Sequence, residues 1–312
     1  MHSTNQGKRP EVAILLAVYN GISWLEAQVA SILTQADVNI SLFISIDPSS
    51  DGSEQWCATL AQEHSCVTVI AREQSLQSAT QNFFHLIRSV DFSHFDYVAF
   101  SDQDDIWLEQ KISVAVNRLK NSDFDGYSSN VEAFWENGKK ELIDKAQKQT
   151  QWDHFFEAAG PGCTYVMSNR LICAIQQRLI QSKALSEKLC FHDWFCYAFA
   201  REYNYRWFID SDSYLQYRQH ANNVVGANQG LKAFLRRVRH VLSGAAIEQS
   251  KEILAVLCCD QQYSARIKLP NRRFDYIKLG LTSRHCRRRL KDQFFFFALC
   301  SIMSVYANSA KN

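Results

Sequence analysis

The sequence lacks the features that would mark a fibrous, disordered or zinc-binding chain. Its 312 residues hold only 4 prolines and 11 glycines, with no internal repeat and no low-complexity linker. The 46% hydrophobic content is typical of a globular protein. None of the 10 cysteines belongs to a CxxC pair, and no Cys/His cluster has zinc spacing. We therefore expect reduced, mostly buried thiols in a cytosolic protein.

The sequence also has few long apolar runs. Residues 1–10 are polar and lack the apolar stretch of a signal peptide. The longest apolar run, at residues 294–306, contains two serines and is shorter than the ~20 residues that a spanning helix needs. A basic cluster precedes it, consisting of Arg284, Arg287, Arg288, Arg289 and Lys291. This combination is typical of a helix in the interface of an anionic membrane. A helix packed on the body or in a dimer contact is the alternative.

The net charge is only +2, which argues against a strongly basic nucleic-acid-binding protein. This balance conceals two opposite parts, because residues 1–230 carry a net charge of −9 and residues 231–312 a net charge of +11. Since the composition changes at residues 226–230, we predict a domain at residues 1–226 and a basic helical C-terminal segment at 227–312. The segment has no nucleic-acid-binding motif, so its charge indicates an anionic surface as its partner.

Strand and helix signals alternate through the first hundred residues, with apolar residues at helical spacing between strand-length apolar runs. The strand-length runs span residues 12–18, 42–46, 67–71 and 97–100. This alternation predicts an α/β fold with a mostly parallel central sheet flanked by helices. Ligands of such sheets bind at the carboxyl ends of the strands, and Tyr19, Asp47 and the acidic turn at 102–105 follow such ends.

The pattern is harder to interpret beyond residue 105. Residues 121–150 are polar and predict no element, whereas residues 163–167 predict a strand followed by a helix that Ser168 caps. Residues 205–209 and 214–217 predict a pair of strands. From residue 231 onward, helical spacing and basic residues dominate.

Three carboxylates within four residues follow the strand at 97–100. Asp102, Asp104 and Asp105 repel one another, and burying them is costly unless a cation compensates. In extended backbone, residues i and i+2 face the same way, so Asp102 and Asp104 can address one site. Carboxylate oxygens suit Mg²⁺ or Mn²⁺, which proteins commonly hold with one or two carboxylates and substrate phosphates. A solvated turn that caps a helix beginning near Trp107 is the alternative.

The segment YVAFSDQDDIW at residues 97–107 resembles the DxD region of bacterial glycosyltransferase family 2, whose members are inverting sugar transferases of the GT-A fold. Further motifs follow the family's order: LLAVYNG at 15–21, DGS at 51–53, HDW at 192–194 and YRQHANNVVG at 217–226. The resemblance covers residues 11–226 and is strongest for the branch that includes rhamnosyltransferases of surface polysaccharide synthesis. It implies a GT-A catalytic domain followed by the basic helical segment.

This resemblance implies that the acidic turn holds Mn²⁺ or Mg²⁺, which neutralises the charge on the departing diphosphate of a nucleotide sugar. Asp104 is the implied direct ligand, and Asp102 contacts the donor ribose or a metal-bound water. His220 is implied to complete the metal or diphosphate site, with a plain loop histidine as the alternative. Asp105 is equally well explained as an acidic residue in the first turn of a helix.

The resemblance also implies that Asp193 is the general base, because family enzymes place an aspartate at the start of a helix in an ED or HD pair. That carboxylate takes the proton of the acceptor hydroxyl, and an aspartate that merely caps the helix is the alternative. On the acceptor side, His192 is expected to shape the site, and Trp194 either stacks against a sugar or fills the core. Gly162 is expected to allow close approach of the substrate, or simply to form a turn.

The donor is expected to meet residues near the first two strand ends. Tyr19 and Asp47 would form the nucleoside pocket, although the family's Asp-Asp-Gly-Ser is here Ile-Asp-Pro-Ser at 46–49, so one carboxylate is missing. Asn82 is implied to contact the donor, unless it lies on a helix surface. Arg218 is expected to pair with diphosphate oxygens or with an acidic neighbour.

The resemblance therefore predicts an inverting, metal-dependent glycosyltransferase that uses a dTDP- or UDP-sugar, with dTDP-L-rhamnose favoured. Its acceptor would be lipid-linked or a polysaccharide, met at the cytosolic face of the inner membrane, to which the basic tail would bind peripherally. An oligomer is compatible with these features, and nucleic acid is not an expected partner. The alternatives are a non-catalytic nucleotide-sugar binding protein and a metal-dependent phosphoester hydrolase.

Overall fold

The computed structural model describes residues 8–71, 78–220, 244–258 and 267–306. The end of the motif at 217–226 and the boundary predicted at 226–230 lie outside the described residues. The strands are β1 (Glu11–Val18), β2 (Asn39–Ile46), β3 (Val67–Val69), β4 (Tyr97–Ser101), β5 (Ile106–Trp107), β6 (Gly126–Trp135), β7 (Lys140–Ile143), β8 (Val166–Ser168) and β9 (Trp207–Gln219). They form one sheet in the order β3-β2-β1-β4-β8-β6-β9-β5, with β7 paired to β6.

Helices surround this sheet, and two short 3₁₀ turns, Asp153–Phe155 and Gly162–Thr164, precede β8. The helices are α1 (Ile22–Leu33), α2 (Ser53–Glu63), α3 (Ala79–Ser89), α4 (Lys111–Ser122), α5 (Asn169–Gln181), α6 (Lys183–Ser186), α7 (His192–Glu202), α8 (Ala245–Leu257), α9 (Arg273–Leu281), α10 (Ser283–Cys286) and α11 (Leu290–Tyr306). The predicted cap of α5 is confirmed, because Ser168 Oγ accepts a hydrogen bond from Leu171 N (3.4 Å).

The half of the sheet made by β1 to β4 is parallel, as the alternating pattern predicts. β1 lies between β2 and β4, and its residues 12–16 are fully buried. Such continuous apolar runs are typical of parallel strands that are covered on both faces. Parallel neighbours need a crossover connection, which α1, α2 and α3 supply.

The other half of the sheet is mixed, so the sheet as a whole is less parallel than the sequence predicts. β8 is antiparallel to both β4 and β6, whereas β6 and β9 are parallel. β6 falls in the polar stretch at 121–150, where no element is predicted. Its buried polar residues are hydrogen-bonded, for example Ser128 Oγ to the Trp207 indole N–H (3.0 Å) and Asn130 Nδ2 to Ser211 O (2.8 Å). Because these buried polar groups have hydrogen-bond partners, a polar sequence can lie inside the sheet.

The two segments predicted as a strand pair form the single strand β9, so that prediction is wrong. The register of β9 against β6 shifts at residues 129–132 of β6. Asp210 stays buried there by accepting a hydrogen bond from the Tyr127 hydroxyl (3.1 Å). The polar residues that indicate a turn in the sequence therefore belong to an irregular part of one strand.

The C-terminal helices share the hydrophobic core of the sheet. Ile253 of α8, Leu279 of α9 and Cys300 of α11 belong to the same buried cluster as Phe83 of α3. α9 packs on α11 at Gly280, where a Cβ would lie 3.0 Å from the Cβ of Cys300. Among the residues that the structure describes, no helix combines the length and the apolar character needed to cross a bilayer.

The basic cluster before α11 is directed largely into the protein. The Arg288 side chain is fully buried, with Nη1 3.4 Å from Asp153 Oδ2 and Nη2 donating to Ala158 O (2.7 Å). Arg287 Nη1 donates to Phe156 O (2.7 Å). The prediction that this cluster faces an anionic membrane is wrong for these two arginines, because carboxylate and carbonyl groups of the body bind them.

Asp153 is the centre of a buried polar network. It accepts hydrogen bonds from the Tyr197 hydroxyl (2.8 Å) and from Arg201 Nη1 (3.0 Å). Burial alone would raise the pKa of Asp153, but hydrogen bonding with His154 and the charges of Arg201 and Arg288 hold the pKa below its usual range. The network therefore contributes stability above the pKa of an unfolded aspartate, and this stability is lost as the carboxylate becomes protonated.

Arg288→Met is expected to lower the free energy of unfolding by about 3 kcal/mol, because it removes one partner of a buried ion pair. Urea titrations followed by circular dichroism measure the effect. Arg284→Met is the matched control, since Arg284 is exposed and donates to its neighbour His285 (3.1 Å). A loss for Arg288→Met no larger than that of the control would contradict the role of the buried pair.

Candidate active site

The acidic turn at residues 102–105 lies beside the carboxyl end of β1. β1 and β4 are parallel neighbours, with Leu16 in register with Ser101. The Gln103 side chain joins the two strand ends, because its Oε1 accepts from Tyr19 N (2.8 Å) and its Nε2 donates to Tyr19 O (2.9 Å). Gly21 lies against the same amide, at a position where a Cβ would collide with Gln103 Oε1. Strand pairing and this amide therefore fix the turn.

The two residues predicted to form the nucleoside pocket lie together at neighbouring strand ends. β1 and β2 end in register at Val18 and Ile46, and Asp47 N donates to Val18 O (2.8 Å). The Tyr19 side chain is 59% exposed, whereas Asp47 is buried. An exposed ring next to a carboxylate offers a stacking surface and hydrogen-bond acceptors, which a nucleoside can use.

Asn82, predicted to contact the donor, lies beneath these strand ends. Its side chain is buried, and Nδ2 donates to Ser45 O (3.1 Å) and to Val18 O (3.4 Å). The amide therefore ties β1 and β2 to α3. The alternative of a helix-surface position is wrong, and a contact with the donor stays a prediction.

Asp104 and His220 meet at the turn. His220 Nε2 lies 2.7 Å from Asp104 Oδ2, and both side chains are largely buried. The imidazole stacks on the Trp24 ring of α1, with ring centres 4.3 Å apart and an angle of 10° between the planes. β9 reaches the turn because it pairs with β5. Two residues that are 116 positions apart in sequence are thereby placed on one site.

Strand β5 and Arg218 hold the turn from the other side. The helix predicted to begin near Trp107 begins instead at Lys111, because β5 pairs with β9. Arg218 N donates to Asp105 Oδ1 (3.2 Å), and Arg218 Nε donates to Asp104 O (2.9 Å). The guanidinium therefore binds a backbone carbonyl, and it is the backbone N–H of Arg218 that meets an acidic side chain. Pairing with a diphosphate stays a prediction.

Two carboxylates of the turn contact a thiol. One oxygen of Asp102, one oxygen of Asp105 and Cys163 Sγ lie within 4.8 Å of one another. Burial, together with the charges of Asp104 and Asp193, raises the pKa of Asp102 to about 7. Burial and the neighbouring carboxylates also raise the pKa of Asp105 well above its usual range. Burial raises the pKa of Cys163 as well, so the thiol stays protonated and can donate to the carboxylates.

The ligand atoms of the turn fit a hard divalent cation. Asp104 Oδ2 and His220 Nε2 are 2.7 Å apart, and adjacent ligands of an octahedral ion with bonds of about 2.1 Å lie about 3 Å apart. Asp105 Oδ2 is buried and has no hydrogen-bond partner among the described residues. A protonated thiol such as Cys163 does not suit Mg²⁺ or Mn²⁺, which prefer oxygen ligands. The residues present therefore fit a site centred on Asp104 and His220, with Asp102 beside it.

Asp193 lies in the first turn of α7, close enough to the acidic turn to raise the pKa of Asp102. The capping position is occupied by Phe191, so Asp193 is not the cap residue. Burial raises the pKa of Asp193 to about 6, although a hydrogen bond from Trp194 N (2.7 Å) opposes this shift. A carboxylate with this pKa is ionised at neutral pH and is more basic than an exposed aspartate, which suits a general base.

His192 and Gly162 pack together beside Asp193. The imidazole is buried against the Phe83 ring, with ring centres 3.9 Å apart, and burial lowers the pKa of His192 to about 3. A Cβ at Gly162 would lie 2.7 Å from His192 Nε2 and 3.2 Å from the Cβ of Asp193. The close approach expected at Gly162 is therefore made by the start of α7, and a substrate contact there stays a prediction.

Trp194 fills the core, which is one of the two alternatives that the sequence leaves open. Its ring is buried, and Nε1 donates to His154 O (2.8 Å). Stacking against a sugar needs an exposed ring face, so the prediction of an acceptor contact for Trp194 is wrong.

Four residues that shape the turn are not among the site residues predicted from the sequence: Trp24, Gln103, Lys111 and Cys163. Lys111 is buried, with Nζ 3.5 Å from the centre of the Trp107 ring, and burial lowers its pKa to about 7. Of these four residues, only Gln103 stands out in the sequence, because its amide interrupts a run of carboxylates. Helical spacing alone does not distinguish a buried lysine or a stacked tryptophan from ordinary helix residues.

The chain is similar in sequence to known glycosyltransferases. The family model of Glycosyl transferase family 2 matches residues 13–164. The chain is 45% identical over 224 residues to the dTDP-rhamnosyl transferase RfbG of Shigella flexneri, which covers 72% of this chain and 78% of that protein. It is 24% identical over 169 residues to the UDP-Glc:alpha-D-GlcNAc-diphosphoundecaprenol beta-1,3-glucosyltransferase WfgD of Escherichia coli, covering 52% of this chain and 61% of that protein.

Solved structures share the fold at much lower identity. S. aureus TarS 1-349 in complex with UDP-GlcNAc has a TM-score of 0.54 at 13% identity, covering 94% of this chain and 89% of that chain. The mannosyltransferase PcManGT from Pyrobaculum calidifontis, in complex with GDP-Man and Mn²⁺, has a TM-score of 0.50 at 12% identity, covering 97% and 89%. These neighbours confirm the predicted GT-A fold. The family-model match and the identity to RfbG show that the chain belongs to glycosyltransferase family 2, as a rhamnosyltransferase-like glycosyltransferase.

Proposed function

We propose that this enzyme is an inverting, metal-dependent glycosyltransferase that moves a sugar from a nucleotide diphosphate to an acceptor hydroxyl. The observation that carries the proposal is the position of Asp193, whose partly buried carboxylate lies close enough to the acidic turn to raise the pKa of Asp102. The reacting sugar is proposed to lie between this base and the diphosphate-binding turn. Similarity to a dTDP-rhamnosyl transferase supports dTDP-L-rhamnose as the donor, and a UDP-sugar is the alternative.

In the proposed reaction, Asp193 takes the proton of the acceptor hydroxyl while that oxygen attacks the anomeric carbon. The bond from this carbon to the diphosphate oxygen breaks, and the nucleoside diphosphate leaves with the electron pair. Attack from the face opposite the leaving group inverts the configuration at the anomeric carbon. His192 stays neutral beside the base because burial lowers its pKa to about 3, so the proton goes to the more basic carboxylate.

Asp104 and His220 are the proposed ligands of Mn²⁺ or Mg²⁺, and Asp102 is proposed to contact the donor ribose or a metal-bound water. When bound, the cation supplies positive charge for the departing diphosphate. Arg218 positions the turn through its bonds to Asp104 O and Asp105 Oδ1. The relative with Mn²⁺ in its crystal structure supports a divalent cation in this fold.

The acceptor is proposed to be a lipid-linked oligosaccharide or a polysaccharide, met at the cytosolic face of the inner membrane. The name of the E. coli relative includes a diphosphoundecaprenol acceptor, which supports a lipid-linked one. Residues 1–226 are proposed to form the catalytic domain. Residues 227–312 are proposed to contact the membrane, or another copy of the chain.

Asp193→Asn is expected to lower kcat for sugar transfer about 10²–10⁴-fold, as loss of a general base does. Donor binding should change little, since the amide keeps the shape of the side chain. Transfer of labelled rhamnose from dTDP-rhamnose to a lipid extract measures the effect. Asp123→Asn, at an exposed aspartate, is the control.

Three outcomes would contradict the assignment. Full transfer by folded Asp193→Asn would exclude Asp193 as the base. Donor consumption at an undiminished rate without acceptor would favour the phosphoester hydrolase. Donor binding by the unaltered chain without transfer to any acceptor would favour the non-catalytic binding protein.

The pH dependence of kcat is expected to follow the same carboxylate. The base is active when ionised, so kcat should fall as the pH drops below about 6, the raised pKa of Asp193. The measurement uses saturating donor and Mn²⁺ from about pH 5 to about pH 8. A rate that stays constant across this range would contradict the assignment.

His220→Ala is expected to weaken Mn²⁺ binding by about tenfold or more, because it removes a proposed ligand and the ring that stacks on Trp24. Isothermal titration calorimetry with Mn²⁺, in the presence of dTDP or UDP, measures the affinity. His94→Ala, at an exposed histidine, is the matched control. Equal affinities for the two variants would remove His220 from the metal site.

A further inference from the structure

Helices α9 and α11 present an apolar face on the outside of the molecule. Phe274 and Leu281 of α9 are 74% and 69% exposed, and Leu290, Phe294 and Val305 of α11 are 63–68% exposed. We call these five residues the helix-pair face. The opposite side of α11 is buried in the core, so this helix is apolar on both sides. A large exposed apolar patch on such a helix marks an interaction surface.

The exposed residues of each helix share one side. Phe274 and Leu281 are seven residues apart, and Leu290, Phe294 and Phe297 follow at spacings of four and three, so each set lies on one side of its helix. Phe297 also packs against Gly280 of α9, with its Cδ2 3.5 Å from the position of a Cβ. The half-exposed Phe297 of α11 therefore meets α9 at Gly280, next in sequence to the exposed Leu281.

The exposed charges of the segment that forms this face are positive. The exposed charged side chains of residues 267–305 are Lys268, Arg272, Arg273, Lys278, Arg284 and Lys291. The two acidic residues of this stretch are partly buried and bonded, because Asp275 Oδ2 accepts from Arg272 N (3.0 Å) and Asp292 lies 3.9 Å from Arg287. The exposed carboxylate of Glu248, on α8, lies near Tyr276 of α9 and is paired with Lys251 Nζ (2.8 Å). An apolar face with an excess of cations around it is complementary to an anionic phospholipid surface.

A second copy of the chain is a poorer partner for this face. A twofold dimer brings the same surface of both subunits together. Such a contact would bring two copies of the six exposed cations close together, and the gathering of like charges is unfavourable. Anionic headgroups instead neutralise these charges while the apolar side chains enter the acyl region.

The helices that carry the helix-pair face are bonded to the segment that leads to Gly162 and Asp193. The arginines between α9 and α11 bind Phe156 O and Ala158 O. The chain continues from these residues to Gly162, which packs against His192 and Asp193. A surface docked through α9 and α11 is thus connected by a short, buried segment to the proposed base.

We infer that the helix-pair face docks on an anionic phospholipid membrane, with its phenylalanines and leucines in the acyl boundary and the surrounding cations at the headgroups. The choice of partner rests on the proposed function, because a lipid-linked acceptor is met at such a surface. Arg287 and Arg288 are bonded inside the protein, so they are not part of this membrane contact. Both α9 and α11 contribute apolar side chains to it.

The test is co-sedimentation of the full chain with vesicles of phosphatidylethanolamine and phosphatidylglycerol, compared with vesicles of phosphatidylcholine. The full chain is expected to bind the anionic vesicles preferentially. Leu281→Ser/Phe294→Ser should weaken this binding by about tenfold or more, because two large apolar side chains no longer enter the lipid. Lys278→Glu/Lys291→Glu should abolish the preference for anionic vesicles. Leu142→Ser/Ile180→Ser is the matched control, at residues that are 56% and 57% exposed elsewhere on the molecule.

Several results would overturn the inference. One is vesicle binding by Leu281→Ser/Phe294→Ser equal to that of the control variant, and another is equal binding to both kinds of vesicle. A dimer in light scattering without lipid, lost in the same variant, would show that a second copy covers the face. Failure of the proposed function is distinguishable, because Asp193→Asn should still bind vesicles while Leu281→Ser/Phe294→Ser should still transfer sugar to a detergent-solubilised acceptor.

Discussion

The crowding of four carboxylates, those of Asp102, Asp104, Asp105 and Asp193, near the carboxyl end of the sheet is the constraint on which the rest of the structure depends. Asp102, Asp105 and Asp193 all have raised pKa values, chiefly because burial disfavours their charge. Each pKa unit corresponds to about 1.4 kcal/mol of unfavourable free energy in the ionised form. Ionisation of these carboxylates is therefore costly, and a bound cation would offset part of the cost. The surrounding parts, from the Gln103 amide to the Arg218 backbone contact, keep the carboxylates together despite their repulsion.

The location of the site could be predicted from the sequence because it depends on strong local signals. Buried parallel strands such as β1 and β4 are continuous apolar runs, and the residues just after them must lie at one edge of the sheet. That reasoning brings Tyr19, Asp47 and the acidic turn together, as observed. It fails for β6 and β9, because their buried serines, asparagines and aspartates are satisfied by hydrogen bonds to distant segments. No local pattern records such long-range partners.

The roles of single residues were harder to predict than their positions. Asn82 and Trp194 stand at the right places in the family motifs, yet both side chains are buried and bonded to backbone carbonyl groups. Polar and aromatic residues near a site either contact the substrate or hold the backbone of the site in place. The sequence alone does not distinguish these two roles. The same holds for the basic C-terminal segment. Its net charge counts Arg288 as if it were on the surface, although the guanidinium of this residue is fully buried.

The bonds of Asp153 and of residues 156–158 to Arg287 and Arg288 limit how this chain can diverge or be re-engineered. Replacing the C-terminal helices by those of another enzyme would leave a carboxylate in the core without part of its counter-charge. The helices are therefore not an exchangeable module. A working chimaera must carry the 153–158 segment together with its matching arginines, so the C-terminal helices and the segment that leads to Asp193 are inherited as one unit.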